Sequence, residues 1–258
     1  MSVNYAYYPY YLSFDEIPVP NFCTTRHGGV SIWPYHSSNL SFNTEDNPEN
    51  IRKNRIIISE RLGIPVDKFI YLNQIHTDKI YYAKIFHCGK ALEMPCIDGD
   101  GLFTDEKGIC LVVMLADCVG VFVYDPEKNV IGICHSGWRG CLLNVCGKLV
   151  ENIVENFGSD KGNLIAGISP SICKNCYTVG CDIVQKFPDS YSPYVFQNKN
   201  MWHIDLKGII TRQLNEKGIR NENILNLDIC TYENTHIFYS YRAEKDTGRF
   251  IFGIYLPE

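Results

Sequence analysis

The sequence predicts an α+β fold in which mixed β-sheets pack against helices. Three continuous apolar runs rich in β-branched residues, at 109–115, 119–124 and 130–134, are typical of strands buried on both faces. Apolar residues at helical spacing mark residues 47–62 and 140–157 as helices. Because these strands and helices mix without regular alternation, the pattern favours an α+β domain over a doubly wound parallel fold.

Two elements are predicted in the first part of the chain. Residues 47–62 predict a helix because Asn47 can cap it, Pro48 suits its first turn and Gly63 can end it. Before this helix, four tyrosines indicate a packed edge strand, namely Tyr7, Tyr8, Tyr10 and Tyr11.

Further elements follow along the chain. Residues 68–73 predict a short strand that carries Gln74 and His76 at its end. Asp205 can cap another helix, which continues to residue 214. Residues 226–255 then return to strand-like runs, which centre on Tyr239, Tyr241 and Phe250.

Composition and charge exclude several classes of protein. The 258 residues, 45% hydrophobic and 21% charged, suffice for one large core, and no repeat or linker divides the chain. We therefore predict a single domain over residues 1–258. A net charge of -5 without a basic stripe disfavours nucleic acid as a partner. The longest apolar run, at 109–116, is far shorter than the roughly 20 residues of a membrane helix, so no membrane association is expected.

Residues 1–20 lack the basic start, apolar core and cleavage site of a signal peptide, which predicts a cytoplasmic protein. In that compartment the 12 cysteines should be reduced, and most should pack in the core. Cys173 and Cys176 form a single CxxC, followed by Cys181. A structural zinc needs four ligands, and the sequence has neither a second CxxC nor a histidine close by. Two buried thiols near a turn are therefore favoured over a metal site or a redox pair.

Metal-binding types of side chain follow apolar strands at three places. They lie in the strings NQIHTD at 73–78, LADC at 115–118 and CHSGWRG at 134–140. Asp117 and Cys118 interrupt an otherwise continuous apolar run, and a buried carboxylate must be paired or act as a ligand. Packing alone does not explain this break.

Cys118 and His135 flank a predicted strand–turn–strand, and a hairpin would bring them close together. His76 adds a second imidazole from a separate strand end. Two imidazoles and one thiolate suit a zinc ion with its fourth position open, which is the arrangement of a catalytic site. The predicted metal ligands are His76, Cys118 and His135. Cys118 and His135 are also predicted catalytic residues, with Asp117 as a carboxylate that orients a ligand imidazole.

The chain carries a series of short strings in one order. They are TTRHGGVS at 24–31, NR at 54–55, QIH at 74–76, DGDGLFTD at 98–105, ADC at 116–118 and HSGWRG at 135–140, followed by WHIDLKG, CTY, YSYR and TGR. Together they resemble the YfiH/YlmD family over nearly the whole chain. That family is also labelled a polyphenol oxidase or laccase-domain family, and it includes purine nucleoside phosphorylases and peptidoglycan editing factors.

The resemblance implies a single YfiH-like α+β domain, a sandwich similar to that of cysteine hydrolases. It also implies a zinc ion held by His, Cys and His, which fall here on His76, Cys118 and His135. The implied activities are phosphorolysis of adenosine, inosine and methylthioadenosine, and deamination of adenosine to inosine. The partners would then be purine nucleosides and phosphate, bound by a monomer or homodimer.

Five residues are expected to contact the substrate, namely Arg26, Asn39, Arg55, Gln74 and Arg139. The three arginines are candidate phosphate clamps, because phosphorolysis needs an anion beside the sugar. Two stretches depart from the family pattern. CKNCYTVG at 173–180 has Thr178 where glutamate is common, and SNLS at 38–41 stands in place of an LNLG-like stretch. These departures concern substrate contacts rather than the metal.

Three other functions stay open from the sequence. Cys118 as nucleophile with His135 as base would make a cysteine hydrolase that cleaves an amide in a peptidoglycan precursor. Copper-dependent oxidation of phenols fits the family label, although 7 histidines are few for the usual copper clusters. A binding module in which zinc only stiffens the hairpin would turn over no nucleoside.

Overall fold

A computed structural model describes residues 5–258 of the chain. Its helices are α1 (Pro48–Leu62), α2 (Trp138–Leu143), α3 (Val145–Phe157), α4 (Cys181–Val184), α5 (Leu206–Glu216) and α6 (Tyr241–Glu244). Its strands are β1 (Tyr5–Tyr8), β2 (Tyr11–Phe14), β3 (Asn21–Thr24), β4 (Phe69–Ile70), β5 (Ile80–Tyr82), β6 (Gly101–Thr104), β7 (Ile109–Leu115), β8 (Val119–Asp125), β9 (Val130–Ser136), β10 (Ile165–Ile168), β11 (Thr178–Val179), β12 (Val195–Asn198), β13 (Met201–Ile204), β14 (Ile224–Asn226) and β15 (Phe250–Leu256).

Two mixed sheets form the body of the fold. The first is 6-stranded, in the order β1-β2-β3-β15-β7-β4, and the second is 6-stranded, in the order β14-β10-β8-β9-β6-β5. A 3-stranded sheet, β11-β13-β12, lies apart from both. Parallel and antiparallel neighbours occur in each large sheet, as β4 runs parallel to β7 and β15 runs antiparallel to it. The predicted α+β class with mixed sheets is therefore confirmed.

The sheets and helices stack in layers, because the central strands are apolar on both faces. From the first sheet, Phe252 stacks on Phe122 of the second sheet, with ring centroids 4.9 Å apart. The opposite face of β7 presents Val112 to Ile58 of α1. The outer face of β8 packs against α3, in the core cluster that contains Leu149. Burial of both sheet faces explains why β7, β8 and β9 appear as continuous apolar runs.

The first helix and the central hairpin match their sequence predictions. The Asn47 side chain accepts a hydrogen bond from the Glu49 backbone N–H at the start of α1. Gly63 ends that helix in the left-handed region, with a φ of 66°, which glycine adopts without steric cost. Strands β8 and β9 pair antiparallel in the register Val119 with Ser136.

Two predicted elements are wrong in their extent. The strand predicted at 68–73 is limited to β4, because the chain then leaves β7 and Asn73 instead forms a bridge with Asp98. The helix predicted at 140–157 is divided into α2 and α3 at Asn144. This residue adopts a left-handed φ of 55°, and its side chain caps the second helix by accepting from Gly147 N–H. The helix capped by Asp205 is confirmed as α5.

Most of the strand-like region predicted at 226–255 is irregular. Only its ends belong to β14 and β15, and α6 lies between them. Tyr239 is buried as a strand residue would be, but its hydroxyl donates to the Tyr35 carbonyl at 2.7 Å and fixes a loop. Burial of an aromatic side chain is therefore not specific for a strand here.

The tyrosine-rich start forms the predicted edge strand. Strands β1 and β2 pair antiparallel at one edge of the first sheet, and Tyr8 stacks on Tyr11. The side chain of Tyr7 lies outside the part that the structure describes. Across residues 5–258, no helix combines the length and the apolar character needed to cross a bilayer.

Candidate metal centre

The hairpin of β8 and β9 brings Cys118 close to His135. Gly120 pairs with His135 in the hairpin register, and Cys118 directly precedes β8. Gly137 follows β9 and leaves room for the sulfur, because a Cβ at that position would lie 2.9 Å from the Cys118 Sγ. The sequence HSG after the strand is therefore a steric requirement of this arrangement.

His76 approaches the same point from the loop between β4 and β5. Its Nε2 lies 4.0 Å from the Cys118 Sγ, and its ring is 4.8 Å from that of His135, centroid to centroid. The backbone of His76 is left-handed, with a φ of 60°. Such a conformation is uncommon outside glycine and is held in place by surrounding contacts.

The three side chains fit the ligand set of a zinc ion. One ligand atom from each of His76, Cys118 and His135 lies within 4.8 Å of the others. A tetrahedral zinc with bonds of about 2.0–2.3 Å separates its ligand atoms by about 3.5 Å, so a small closure of the side chains suffices. His76 is exposed, Cys118 is half-buried and His135 is buried, so the site opens on one side.

The buried carboxylate of Asp100 holds both histidines. Its Oδ1 accepts a hydrogen bond from His135 Nδ1 at 2.8 Å, which leaves Nε2 of that ring for a ligand. Its Oδ2 accepts from the backbone N–H groups of Ile75 at 3.2 Å and Thr77 at 2.7 Å, on either side of His76. Sequence reasoning missed Asp100, although DGDG at 98–101 placed two carboxylates directly before a strand.

The charges of the cluster shift its pKa values strongly. Burial acts to raise the pKa of Cys118, but the His135 charge and hydrogen bonds from both histidines overcome it and lower the pKa to about 6. Burial likewise disfavours the imidazolium of His135, yet the Cys118 thiolate and Asp100 raise its pKa to about 10. For Asp100, burial is outweighed mainly by the hydrogen bond from His135, and its pKa falls below the usual range. Without metal, the site therefore holds a thiolate–imidazolium pair.

A cavity of about 410 Å³ opens beside the cluster, which is a size typical of small-molecule sites. The candidate ligands form one end. Met114 and Ala116 supply an apolar wall, while Arg249 and the exposed Tyr241 lie on the facing side. The Arg249 Nη1 donates to the carbonyls of residues 247 and 248, which fixes the guanidinium. Arg249 was missed as a site residue, although it ends the string TGR.

Comparison with known proteins identifies the family. The family model described as multi-copper polyphenol oxidoreductase laccase matches residues 20–257. The chain belongs to this family. Purine nucleoside phosphorylase YlmD of Bacillus subtilis is 31% identical over 243 residues, which cover 91% of this chain and 87% of that protein. A purine nucleoside phosphorylase of Deinococcus radiodurans is 33% identical over 249 residues, which cover 95% of this chain and 92% of that protein.

Solved structures of the laccase-like family share the whole fold. The crystal structure of YfiH from Bacillus licheniformis has a TM-score of 0.93 and 27% identity, and the match covers 98% of each chain. YlmD from Geobacillus stearothermophilus has a TM-score of 0.93 and 26% identity, and the match covers 100% of both chains. The predicted YfiH/YlmD resemblance is thus confirmed, and the chain belongs to an enzyme family.

Within this laccase-like fold, Asp117 lies beside the cluster and contacts other segments. Its carboxylate accepts from the Thr231 hydroxyl at 2.7 Å and from the Arg242 backbone N–H at 2.6 Å. The carboxylate that contacts a ligand imidazole is that of Asp100. The orienting role of Asp117 stays a prediction, and its contacts favour a role in fixing the turn before Cys118.

Gln74 and Asn39 occupy the cavity wall and the layer behind it. The Gln74 amide exchanges two hydrogen bonds with the Met114 backbone, at 2.9 and 2.7 Å, at the edge of the cavity. Asn39 is buried, and its Oδ1 accepts from the Arg249 backbone N–H at 2.9 Å. Asn39 therefore supports Arg249, and its direct contact with substrate stays a prediction.

The three predicted phosphate clamps lie in different surroundings. Arg26 forms an ion pair with Glu244 at 2.8 Å. Arg55 is buried between α1 and the first sheet, where it donates to the carbonyls of residues 40 and 91. Arg139 is exposed on α2, over the Trp138 ring. Their role as clamps stays a prediction, and Arg249 is the arginine that lines the cavity.

Proposed function

We propose that this protein is a zinc-dependent purine nucleoside phosphorylase that acts on adenosine, inosine and methylthioadenosine and also deaminates adenosine. The observation that carries the proposal is the cavity in which the His76–Cys118–His135 cluster faces Arg249. One side offers a metal site with an open position, and the other offers a fixed cation for phosphate. Relatives named purine nucleoside phosphorylase support the same substrates.

Zinc suits the cluster better than copper. A thiolate with two imidazoles and an open fourth position is a common catalytic zinc set. Oxidation of phenols by several copper ions needs many more imidazoles. In residues 5–258, the groups able to hold a metal contain two histidines between them, both in this cluster.

The chain's own groups have separable tasks in the proposed reaction. Met114 and Ala116 provide an apolar surface for the purine ring, and Arg249 binds the phosphate that attacks C1′ of the sugar. Asp100 keeps a proton on Nδ1 of His135 and so keeps Nε2 directed to the metal position. A zinc ion held there supplies Lewis-acid polarisation of the reacting group.

Products separate the two proposed chemistries. Protein purified without metal-affinity chromatography should convert adenosine and phosphate to adenine and ribose 1-phosphate, and adenosine alone to inosine and ammonia. Arg249→Gln should lower phosphorolysis by about 100-fold, mainly through a higher KM for phosphate, because it removes a charge from the anion site. Deamination uses no phosphate and should change little. Chromatography of the bases and nucleosides measures both.

Two further arginine variants make this result specific. Arg52→Gln, on the exposed face of α1, serves as the control for loss of one positive charge. Arg139→Gln tests the rival clamp on α2. A larger loss of phosphorolysis in Arg139→Gln than in Arg249→Gln would assign phosphate to Arg139. Absence of adenine release by zinc-loaded wild-type protein would refute the phosphorylase proposal.

The thiolate–imidazolium pair favours one alternative, a cysteine hydrolase with Cys118 as nucleophile. Alkylation distinguishes the two functions. In metal-free protein at pH 7, iodoacetamide should modify Cys118 rapidly, and the rate should fall as pH drops below about 6, because the thiolate becomes protonated. Zinc should protect Cys118 if the sulfur is a ligand. Peptide mass spectrometry identifies the modified cysteine, and the exposed Cys96 serves as an internal control. Rapid modification of Cys118 in zinc-loaded protein would instead support the hydrolase.

A further inference from the structure

A second group of metal-ligating side chains lies outside the cavity. The sulfur atoms of Cys173, Cys176 and Cys230 and a carboxylate oxygen of Glu233 all lie within 4.8 Å of one another. Cys230 is buried, Cys173 and Cys176 are half-buried, and Glu233 is exposed. The CxxC of the sequence therefore has partners that are distant along the chain.

Two turns with the same spacing supply these four groups. Cys173 and Cys176 belong to one turn, in which the Cys176 N–H donates to the Cys173 carbonyl at 3.0 Å. Cys230 and Glu233 stand at the same three-residue separation in the second turn. A parallel bridge between Ser171 and Cys230 holds the turns side by side. A pair of such turns is the usual way in which a chain surrounds a structural zinc.

The backbone is arranged to stabilise a thiolate at Cys230. Its sulfur accepts a hydrogen bond from the Cys173 N–H at 3.3 Å and another from the Glu233 N–H. Backbone donors of this kind favour the charged form of an acceptor and are typical partners of metal-bound groups. They also join the first turn to the second through the sulfur itself.

The separation of the ligand atoms suits zinc. The Cys176 Sγ lies 3.5 Å from the Glu233 Oε1. A tetrahedral zinc with a sulfur at about 2.3 Å and an oxygen at about 2.0 Å holds these two atoms about 3.5 Å apart. We propose that Cys173, Cys176, Cys230 and Glu233 bind a second zinc ion. Four protein ligands close the coordination sphere, so this ion is structural rather than catalytic.

The second site would reinforce the first through Asp117. Thr231, next to Cys230, donates its hydroxyl to the Asp117 carboxylate at 2.7 Å. Ile172, next to Cys173, donates its N–H to the Asp117 carbonyl at 3.0 Å. Both turns thus hold the residue that precedes Cys118. Zinc bound between the turns would fix this contact and with it the position of the Cys118 sulfur.

The test uses the full chain with Cys118→Ser, which removes the only sulfur of the first cluster. Protein purified without metal-affinity chromatography should still contain about one zinc per chain by elemental analysis. After exchange of zinc for Co²⁺, an intense near-ultraviolet thiolate-to-cobalt charge-transfer band should appear, because only the second cluster still offers thiolates. This readout does not depend on nucleoside turnover, so its failure is distinct from failure of the proposed phosphorylase function.

Variants of the second cluster complete the experiment. Adding Cys230→Ser should remove the band, whereas adding Cys181→Ser, an exposed cysteine outside the cluster, should preserve it. Glu233→Ala changes an exposed side chain and guards against misfolding. It should weaken cobalt binding at least about tenfold in chelator competition. A Cys118→Ser protein without zinc or a cobalt–thiolate band would overturn the proposal, as would a Cys173–Cys176 disulfide in protein prepared without air.

Discussion

Cys118→Ser is expected to remove one zinc per chain and to lower purine nucleoside phosphorolysis by on the order of 10³-fold or more. Serine has nearly the size of cysteine, so the approach of Gly137 to this side chain is preserved. A neutral hydroxyl is a poor zinc ligand, and the remaining two imidazoles hold the ion weakly. Zinc content and kcat/KM for adenosine phosphorolysis, measured on the same preparation, test this expectation.

A matched control removes a thiol without touching the cluster. Cys96→Ser changes an exposed cysteine and should keep both zinc and activity at the wild-type level. The second cluster has its own cysteines, so one zinc should persist in Cys118→Ser if that site is bound as proposed. Wild-type phosphorolysis in Cys118→Ser would show that the reaction does not use this centre.

Asp100→Asn is expected to weaken zinc binding by about 10–100-fold and to lower kcat in parallel. The carboxylate accepts hydrogen bonds on both oxygens, one from His135 and two from the backbone around His76. An amide of the same shape presents one acceptor and one donor, so it cannot serve both histidines. Chelator competition measures zinc affinity, and initial rates at saturating zinc measure the remaining loss.

The neighbouring carboxylate offers a close control for this substitution. Asp98 is exposed, and its Oδ1 accepts from the Asn73 side chain at 2.7 Å. Asp98→Asn should therefore leave zinc affinity unchanged within about twofold. Equal losses of affinity in Asp98→Asn and Asp100→Asn would mean that general charge, rather than the contact with His135, is responsible.

Local signals predicted the parts of the fold and site that depend on neighbouring residues. Helix α1 was predictable because its cap, its first-turn proline and its terminal glycine all lie in sequence. The hairpin was predictable because two buried runs flank a short turn, and the approach of Cys118 to His135 follows from that topology. The strand pattern failed beyond Asn226, where buried aromatic residues such as Tyr239 belong to loops.

Contacts between distant segments were not predictable in the same way. Asp100 reaches His135 across the pairing of β6 with β9, a register that the sequence does not specify. Arg249 enters the cavity because Asn39, far away in the chain, holds its backbone. Glu233 approaches the CxxC only through the bridge between Ser171 and Cys230. Each depends on long-range register, which composition and periodicity leave undetermined.

The cavity has one rigid side and one side built from loops. Cys118 and His135 are anchored by β8 and β9, in which every residue is buried, so a substitution there disturbs the core. The facing side comes from the segments at 41–43 and 241–249, which lie outside the sheets. Substrate preference can therefore diverge among relatives by exchange of these segments, while the reaction centre is inherited unchanged.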